Sequence, residues 1–230
     1  MLQQTQISRV IPKYKGFLQK FPILYILAVA RINSILKTWS GLGYWRRALY
    51  LKETAKTILK KYKGKFPKDP KVLETLPGIG HYTARALACF AFGNCQAFLD
   101  TNIRRVYLHF FFPKRKKVSD KEILKIAQKA VWKKNPREWH YALFDYGAMV
   151  LKDKNINKRS KHYHKQSKFK GSFRSFRTKV VRFLLSQKQN QAPHKIVEAL
   201  LKKSPYPSRQ IIASLLKDNL IKKTSSHYSL

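Results

Sequence analysis

The residues that invite a chemical reading lie between Leu76 and Arg105. Leu76-Pro77-Gly78-Ile79-Gly80-His81-Tyr82-Thr83-Ala84 sets two glycines around one apolar residue. That spacing lets the backbone turn tightly between two helices while Ile79 anchors the turn in a core. The helix that follows presents N–H groups with no partner of their own, and a phosphate satisfies them. Further on, in Phe98-Leu99-Asp100-Thr101-Asn102-Ile103-Arg104-Arg105-Val106, Asp100 directly precedes a helical run, the position of a helix N-cap. The charge points the same way as the hairpin. There are 49 Lys and Arg against 11 Asp and Glu, a formal net charge of +38, and such a chain attracts nucleic acid. A Lys-, Ile- and Phe-rich composition also arises in AT-rich genomes, so the charge alone does not decide the matter.

These residues need helices to hold them, and the sequence supplies little else. Apolar residues recur at helical spacing over Ile7–Phe21, Tyr25–Trp39 and Tyr44–Tyr62, with Gly41-Leu42-Gly43 and Gly64 as breaks. Val72–Leu76, His81–Phe92, Thr101–Phe111, Asp120–Lys133 and Trp139–Val150 continue the pattern, and the hairpin occupies about 72–92. No useful strand alternation occurs before residue 150, so the fold class is mainly α. Residues 151–172 are polar and basic and read as a linker or wrapped tail. After them come helical patterns at Phe173–Gln187, Pro193–Lys203 and Ser208–Leu220, then two short strands around a Thr-Ser-Ser turn. Residues 173–230 therefore fit either a winged helix or a plain helical bundle. The expected organisation is a domain over 1–150, a basic linker over 151–172 and a small C-terminal unit over 173–230.

Several classes are set aside. Cys89 and Cys95 are the two cysteines, too few for a disulfide framework, which favours a reducing compartment. No 18-residue apolar run and no basic n-region with an apolar core is present, so a membrane span and a secretory signal are not expected.

The hairpin string, in this context, resembles the helix-hairpin-helix (HhH-GPD) superfamily of base-excision DNA glycosylases. Asp100 stands where that family places an aspartate, about one helix and a loop beyond the hairpin. Endonuclease III-like members carry a lysine nucleophile two residues after the second hairpin glycine. Tyr82 stands there instead, and Asp-x-Asn replaces Asp-x-His. Both features resemble the adenine DNA glycosylases. Met1-Leu2-Gln3-Gln4-Thr5-Gln6 is similar to the family's intercalating segment, Trp39-Ser40-Gly41-Leu42-Gly43-Tyr44 to its second DNA-probing loop, and Asp145-Tyr146-Gly147-Ala148-Met149-Val150 to the helix leading into its cluster loop.

The resemblance implies excision of adenine mispaired with guanine or 8-oxoguanine, by flipping the base and hydrolysing its N-glycosidic bond. Asp100 would stabilise the positive charge that develops on the sugar or form a transient covalent adduct. Tyr82 would hydrogen-bond near the reacting centre, and Asn102 would hold the backbone and the site's hydrogen bonds. Gln4 and Thr5 would probe the opposing base, while Leu42 and Tyr44 wedge into the stack. Pro77, Gly78, Ile79 and Gly80 would contact DNA, with a monovalent cation on the hairpin carbonyls bridging to phosphate. Lys13, Arg46, Arg47, Arg104 and Arg105 are candidate phosphate contacts. Simpler readings stay open: Asp100 as a plain cap, Tyr82 and Tyr44 as packed aromatics, Gln4 as an exposed amide, and the cations as solvated surface.

The sequence also departs from the family. The glutamate acting as general acid lies, in adenine DNA glycosylases, just before the string that here begins at Met1. The expectation is an N-terminally truncated chain with impaired excision. Residues 151–170 hold no cysteine, so an iron–sulfur cluster is not expected and no other metal or cofactor is called for. About 60 residues from Phe173 are too few for the Nudix-like domain that reads 8-oxoguanine, and His140-Tyr141 replaces the usual amide or acid at adenine. The expected partner is double-stranded DNA with a mispaired or damaged base, bound by a monomer in the cytoplasm at the nucleoid. The alternatives are a non-catalytic duplex-DNA-binding protein and a mismatch glycosylase for another base.

Overall fold

The computed structural model describes residues 1–151, 153–165 and 168–230. These are mainly helical: α1 (Ile7–Lys20), α2 (Leu24–Val29), α3 (Ile32–Trp39), α4 (Arg46–Tyr62), α5 (Pro70–Leu73), α6 (His81–Phe92), α7 (Thr101–Phe111), α8 (Asp120–Ala130) and α9 (Pro136–Asp145). A π-helical turn (Tyr146–Val150) and a 3-10 helix (Lys154–Arg159) follow, then α10 (Phe173–Ser186), β1 (Gln191–Pro193), α11 (His194–Ala199), α12 (Ser208–Lys217), β2 (Lys222–Lys223) and β3 (His227–Ser229). The chain divides into two compact units, Met1–Lys65 with Ser167–Leu230, and Phe66–Gln166.

That division differs from the boundaries expected at 150 and 173. In the first unit, Phe17, Ile35, Leu36, Trp39 and Ala48 share one buried core with Val180, Leu184, Ile211 and Leu215. The Trp45 indole N–H also donates to Thr178 Oγ1 at 3.4 Å. The apolar face of α3 is thus covered by residues more than a hundred positions away, a pairing that helical periodicity cannot reveal. The single helix predicted over Tyr25–Trp39 is two helices, with Ala30 and Arg31 extended between them (ψ 143° and 138°). Neither Gly nor Pro marks this break. Lys52, on α4, donates to the Ala30 carbonyl at 2.5 Å. At the C-terminal end the two expected strands are joined by a third. The antiparallel order is β1-β3-β2, with Ala192 opposite Tyr228 and Lys223 opposite Tyr228 across the two ladders.

The second unit is built around α7. Ile103 and Leu108 on α7 are fully buried with Phe98, Val118 and Ile123. The start of α8 is fixed by a capping box between Ser119 and Glu122. The segment read as a linker is partly structural. Leu151, Ile156, Asn157 and Ser160 are buried, and Val118 forms a parallel bridge with Ser160. Two apolar side chains among many polar ones suffice, because hydrogen bonds to α7 supply the rest. Among the described residues no helix is long and apolar enough to cross a membrane.

Candidate active site and probing loops

The hairpin forms as its sequence demands. Asp69 caps α5, accepting from the Lys71 N–H at 2.8 Å, and Pro70 occupies the first helical position. Gly78 takes φ +73°, a conformation that L side chains rarely adopt. Ile79 N–H donates to the Leu76 carbonyl at 3.1 Å, closing the turn. The buried anchor is Leu76, at 2% exposure, whereas Ile79 is only half-buried. The side chain that holds the turn is therefore Leu76, before the proline, and not Ile79 as expected. Gly80 caps α6 with no side-chain hydrogen bond, and it is exposed. On the same turn, Glu74 pairs with His81 (2.8 Å) and Arg85 (2.5 Å), and the Arg85 hydrogen bond holds its carboxyl below the usual range.

Asp100 caps α7: its Oδ1 accepts from the Ile103 N–H at 2.7 Å. Burial pushes its carboxyl above the usual carboxylate range, while hydrogen bonds from Ile103 and Asn102 and the charges of Arg104 and Arg105 pull the other way. Tyr82 feels this charge. Its hydroxyl is pushed up to about 12, by burial first and by Asp100 second. The structure thus sets Tyr82, a phenol that stays protonated at neutral pH, in the field of Asp100, which Asn102 meets through its backbone N–H. The Tyr82 ring meets Phe98 edge-on at 5.8 Å, and Phe98 stacks on His140 at 4.1 Å. His140 is 1% exposed; its Nδ1 lies 2.6 Å from the Pro136 carbonyl, and burial lowers its pKa. It is a neutral core residue supporting Phe98.

Asn102 sits in the first turn of α7, against Gly147 of the π-helical turn. A Cβ on Gly147 would lie 2.7 Å from the Asn102 carbonyl carbon and 3.1 Å from its Cα. The glycine is required by this close approach. Arg105, expected on phosphate, is instead 6% exposed. Its Nη1 donates to the carbonyls of Gly147 (2.5 Å) and Leu151 (2.9 Å). With the Asn157 amide oxygen turned to the guanidinium, Arg105 Nη2 and Nε donate to it at 3.2 Å, and Asn157 donates to the Thr101 carbonyl at 3.2 Å. Arg104 is also committed, making a two-point pair with Asp120 at 2.8 Å through Nε and through Nη2. Neither arginine presents a free cation to DNA, because helix geometry turns one to the core and the other to an acidic partner.

The cysteines do not suggest a metal site. Cys89 is buried, 3.6 Å from His140 Nδ1, and burial pushes its thiol up to about 11. Among the described residues no group of three or more His, Cys, Asp or Glu side chains could hold a metal ion.

In the first unit, the two expected probing loops are tied together by Arg47. Its Nη1 donates to the Met1 carbonyl at 2.8 Å and also to that of Gln3; its Nη2 donates to Thr5 Oγ1 (2.9 Å) and to the carbonyls of Leu42 (2.9 Å) and Gly43 (3.2 Å). The guanidinium carbon lies 5.3 Å from the Trp39 and Tyr44 ring centres. At the loop tips Gln4 (φ +53°) and Tyr44 (φ +46°) are both left-handed and exposed. Such a backbone in a bulky residue costs about 1–3 kcal/mol and persists only where surroundings enforce it. Trp39 helps, donating its indole N–H to the Gly43 carbonyl at 2.9 Å, and Arg174 donates to the Tyr44 hydroxyl at 2.7 Å. Leu42, expected to wedge into DNA, is 4% exposed and belongs to the core. Thr5 is half-buried under Arg47, so Gln4 and Tyr44 are the side chains left to probe. Arg46 pairs with Asp218 at 3.3 Å. Arg47, read from sequence as a phosphate contact, was missed as the clamp because its partners are mostly backbone carbonyls.

A family model described as "HhH-GPD superfamily base excision DNA repair protein" matches residues 1–134, more than half of the chain. The chain belongs to this superfamily. It is 37% identical over 159 residues to the adenine DNA glycosylase of Buchnera aphidicola subsp. Baizongia pistaciae, covering 67% of this chain and 44% of that protein. Over 106 residues it is 46% identical to the adenine DNA glycosylase of Mycolicibacterium smegmatis, covering 46% and 36%. The human adenine DNA glycosylase is 36% identical over 155 residues, covering 65% and 28%. The chain therefore spans less than half the length of each of these relatives. A thermostable thymine-DNA glycosylase structure superposes with TM-score 0.57 at 27% identity, covering 64% of this chain and 70% of that one. A trapped endonuclease III–DNA covalent intermediate does so with TM-score 0.56 at 23% identity, covering 62% and 67%, which establishes the shared fold.

Proposed function

We propose that this chain is a monofunctional DNA N-glycosylase that removes adenine mispaired with guanine or 8-oxoguanine. The observation that carries the proposal is the half-buried carboxylate of Asp100 at the start of α7, within the field of the Tyr82 hydroxyl. As the N-glycosidic bond stretches, positive charge builds on the sugar. A fixed carboxylate in a poorly solvated site stabilises that charge more than water does. Tyr82 stays protonated and so can donate a hydrogen bond without adding a second negative charge. It stands where a lysine nucleophile would make the enzyme bifunctional, which supports hydrolysis without strand cleavage. Names of the relatives support adenine as the target, and Gln4 and Tyr44 at the loop tips fit the reading of a mispair and the filling of the vacated stack.

The test is single-turnover excision on a duplex carrying adenine opposite 8-oxoguanine, with alkali to reveal abasic sites. Asp100→Asn keeps the cap, since Asn caps as well as Asp, and removes the charge. Weak excision by the parent chain and its loss in the variant, with folding and duplex binding unchanged, is the expected pattern. Equal excision by both would refute the role of Asp100. Excision of thymine or uracil in place of adenine would keep the chemistry and overturn the substrate.

A further inference from the structure

The C-terminal segment carries a surface that the excision chemistry leaves unused. α11 is followed by α12 across residues 200–207, and β2 and β3 form a hairpin, with β3 pairing back to β1. α12 turns Ile211, Ile212 and Leu215 into the core. Arg209, Gln210, Ala213 and Lys217 are left exposed. At 3.6 residues per turn these four fall within an arc of about 100°, opposite the buried stripe. Lys222 and Lys223 are exposed on β2, and the hairpin tip, Thr224 to Ser226, is exposed as well. The tip is a fixed turn: Thr224 N–H donates to the His227 carbonyl at 2.9 Å, and His227 N–H donates to Thr224 Oγ1 at 3.1 Å.

The charge on this face is one-sided. From residue 168 onward the acidic residues are Glu198 and Asp218. Asp218 is paired with Arg46 and Arg177. Glu198 is on α11, beside Arg209 and Lys223, and leaves the exposed stripe of α12 itself free of acid. The stripe also holds one small residue, Ala213, midway between Arg209 and Lys217, so the helix can approach a surface closely there. A narrow basic helix face next to a basic hairpin matches the major groove of duplex DNA, which admits one α-helix and is walled by phosphates.

We infer that α12 lies in the major groove of duplex DNA, with Lys222, Lys223 and the hydroxyls of the β2–β3 tip on flanking phosphates, as a winged helix-turn-helix. This second hold on the duplex is largely independent of sequence, because phosphate contacts outnumber the base-reading side chains Arg209 and Gln210. It does not depend on the glycosylase reading.

The experiment measures binding of the full chain to an undamaged duplex as a function of salt. Arg209, Lys217, Lys222 and Lys223 are changed together to Ala. A control changes Lys60, Lys61, Lys63 and Lys65, which are exposed in and just after α4, and so removes equal charge. Each lost phosphate contact lowers the slope of log K against log salt by about 0.9, so the first variant, which removes Lys217, Lys222 and Lys223 from phosphates, should lose about 2–3 and the control less than 1. Equal losses in the two, or none in the first, would overturn the proposal. So would equally tight binding to duplex RNA, whose major groove is too deep and narrow for a helix. All four α12 and hairpin side chains are exposed, so unchanged melting of the variant shows that folding is not what is being read. Absence of excision in the Asp100 assay leaves this measurement untouched.

Discussion

Gly147→Ala is a one-carbon change with a calculable effect. The new Cβ would lie 2.7 Å from the Asn102 carbonyl carbon, whereas carbon atoms pack at about 3.5–4.0 Å. Either the π-helical turn or the first turn of α7 must therefore move by roughly 1 Å. The neighbour is backbone, so no rotamer change relieves the clash. Arg105 grips the Gly147 carbonyl, and Arg105 is itself on α7 one turn beyond Asn102. The strain consequently falls on the segment that holds Asp100. Overpacking of this kind costs about 1–3 kcal/mol. For a chain of this size each kcal/mol lowers the melting temperature by about 2–4 °C, giving a fall of roughly 2–12 °C. A 1 Å displacement of a catalytic group also slows the reaction by about 100-fold. Thermal melting and single-turnover excision would be measured on the same preparation. A variant that melts with the parent protein would refute the close approach, whatever its activity. One that melts lower but excises at the parent rate would refute the link between Gly147 and Asp100.

Arg105→Met should destabilise the protein by at least about 3 kcal/mol, because it strips hydrogen bonds from two backbone carbonyls and the Asn157 side chain in a buried site. A phosphate-contacting arginine would instead weaken DNA binding without lowering the melting temperature, so one melting curve separates the two roles. Arg47→Ala should release residues 1–5 from the Gly41–Tyr44 loop, seen as faster amide exchange at Thr5 and Leu42, together with weaker discrimination of the base opposite the target. Unchanged exchange would show that the clamp is dispensable. Asp100 has its pKa raised by burial, so its charged form is disfavoured in the folded protein. Asp100→Asn should therefore raise stability at neutral pH, and that gain should fade as pH falls toward the unfolded carboxylate value of about 3.9. A gain that persists in acid would contradict the burial account. Tyr82 holds its proton up to about 12, so Tyr82→Phe should slow excision evenly between pH 6 and 9. A rate loss confined to one side of that range would mean that the phenol titrates there.

What could be read from the sequence was local. The hairpin, the start of α5 at Asp69, both ends of α6 at Gly80 and Gly93 and the α7 cap at Asp100 are written in Gly and Asp at fixed offsets, and they fold where those residues stand. The side-chain partners were not readable. Arg104 and Arg105 are neighbours with the same composition signal, yet one meets Asp120 and the other two carbonyls and Asn157. Arg47 carries no mark that separates a clamp from a phosphate contact. Leu42 lies between two glycines, a setting that reads as an exposed loop, but its side chain reaches the core. Residues 153–160 look like solvent-exposed chain because Ile156 is the lone aliphatic residue that fixes them.

The first unit is assembled from two segments separated by about a hundred residues. During synthesis α1 to α4 can pack on one another, but the part of their core that α10 to α12 complete stays uncovered until those helices leave the ribosome. The second unit is continuous and can close on its own while synthesis proceeds. At about 5–20 residues per second the wait from residue 65 to the end of the chain lasts roughly 8–33 s. For that interval the uncovered part of this core is open to chaperones and to neighbouring nascent chains. Supply of the protein is therefore set by the speed of translation and the availability of holdases as well as by the stability of the finished fold.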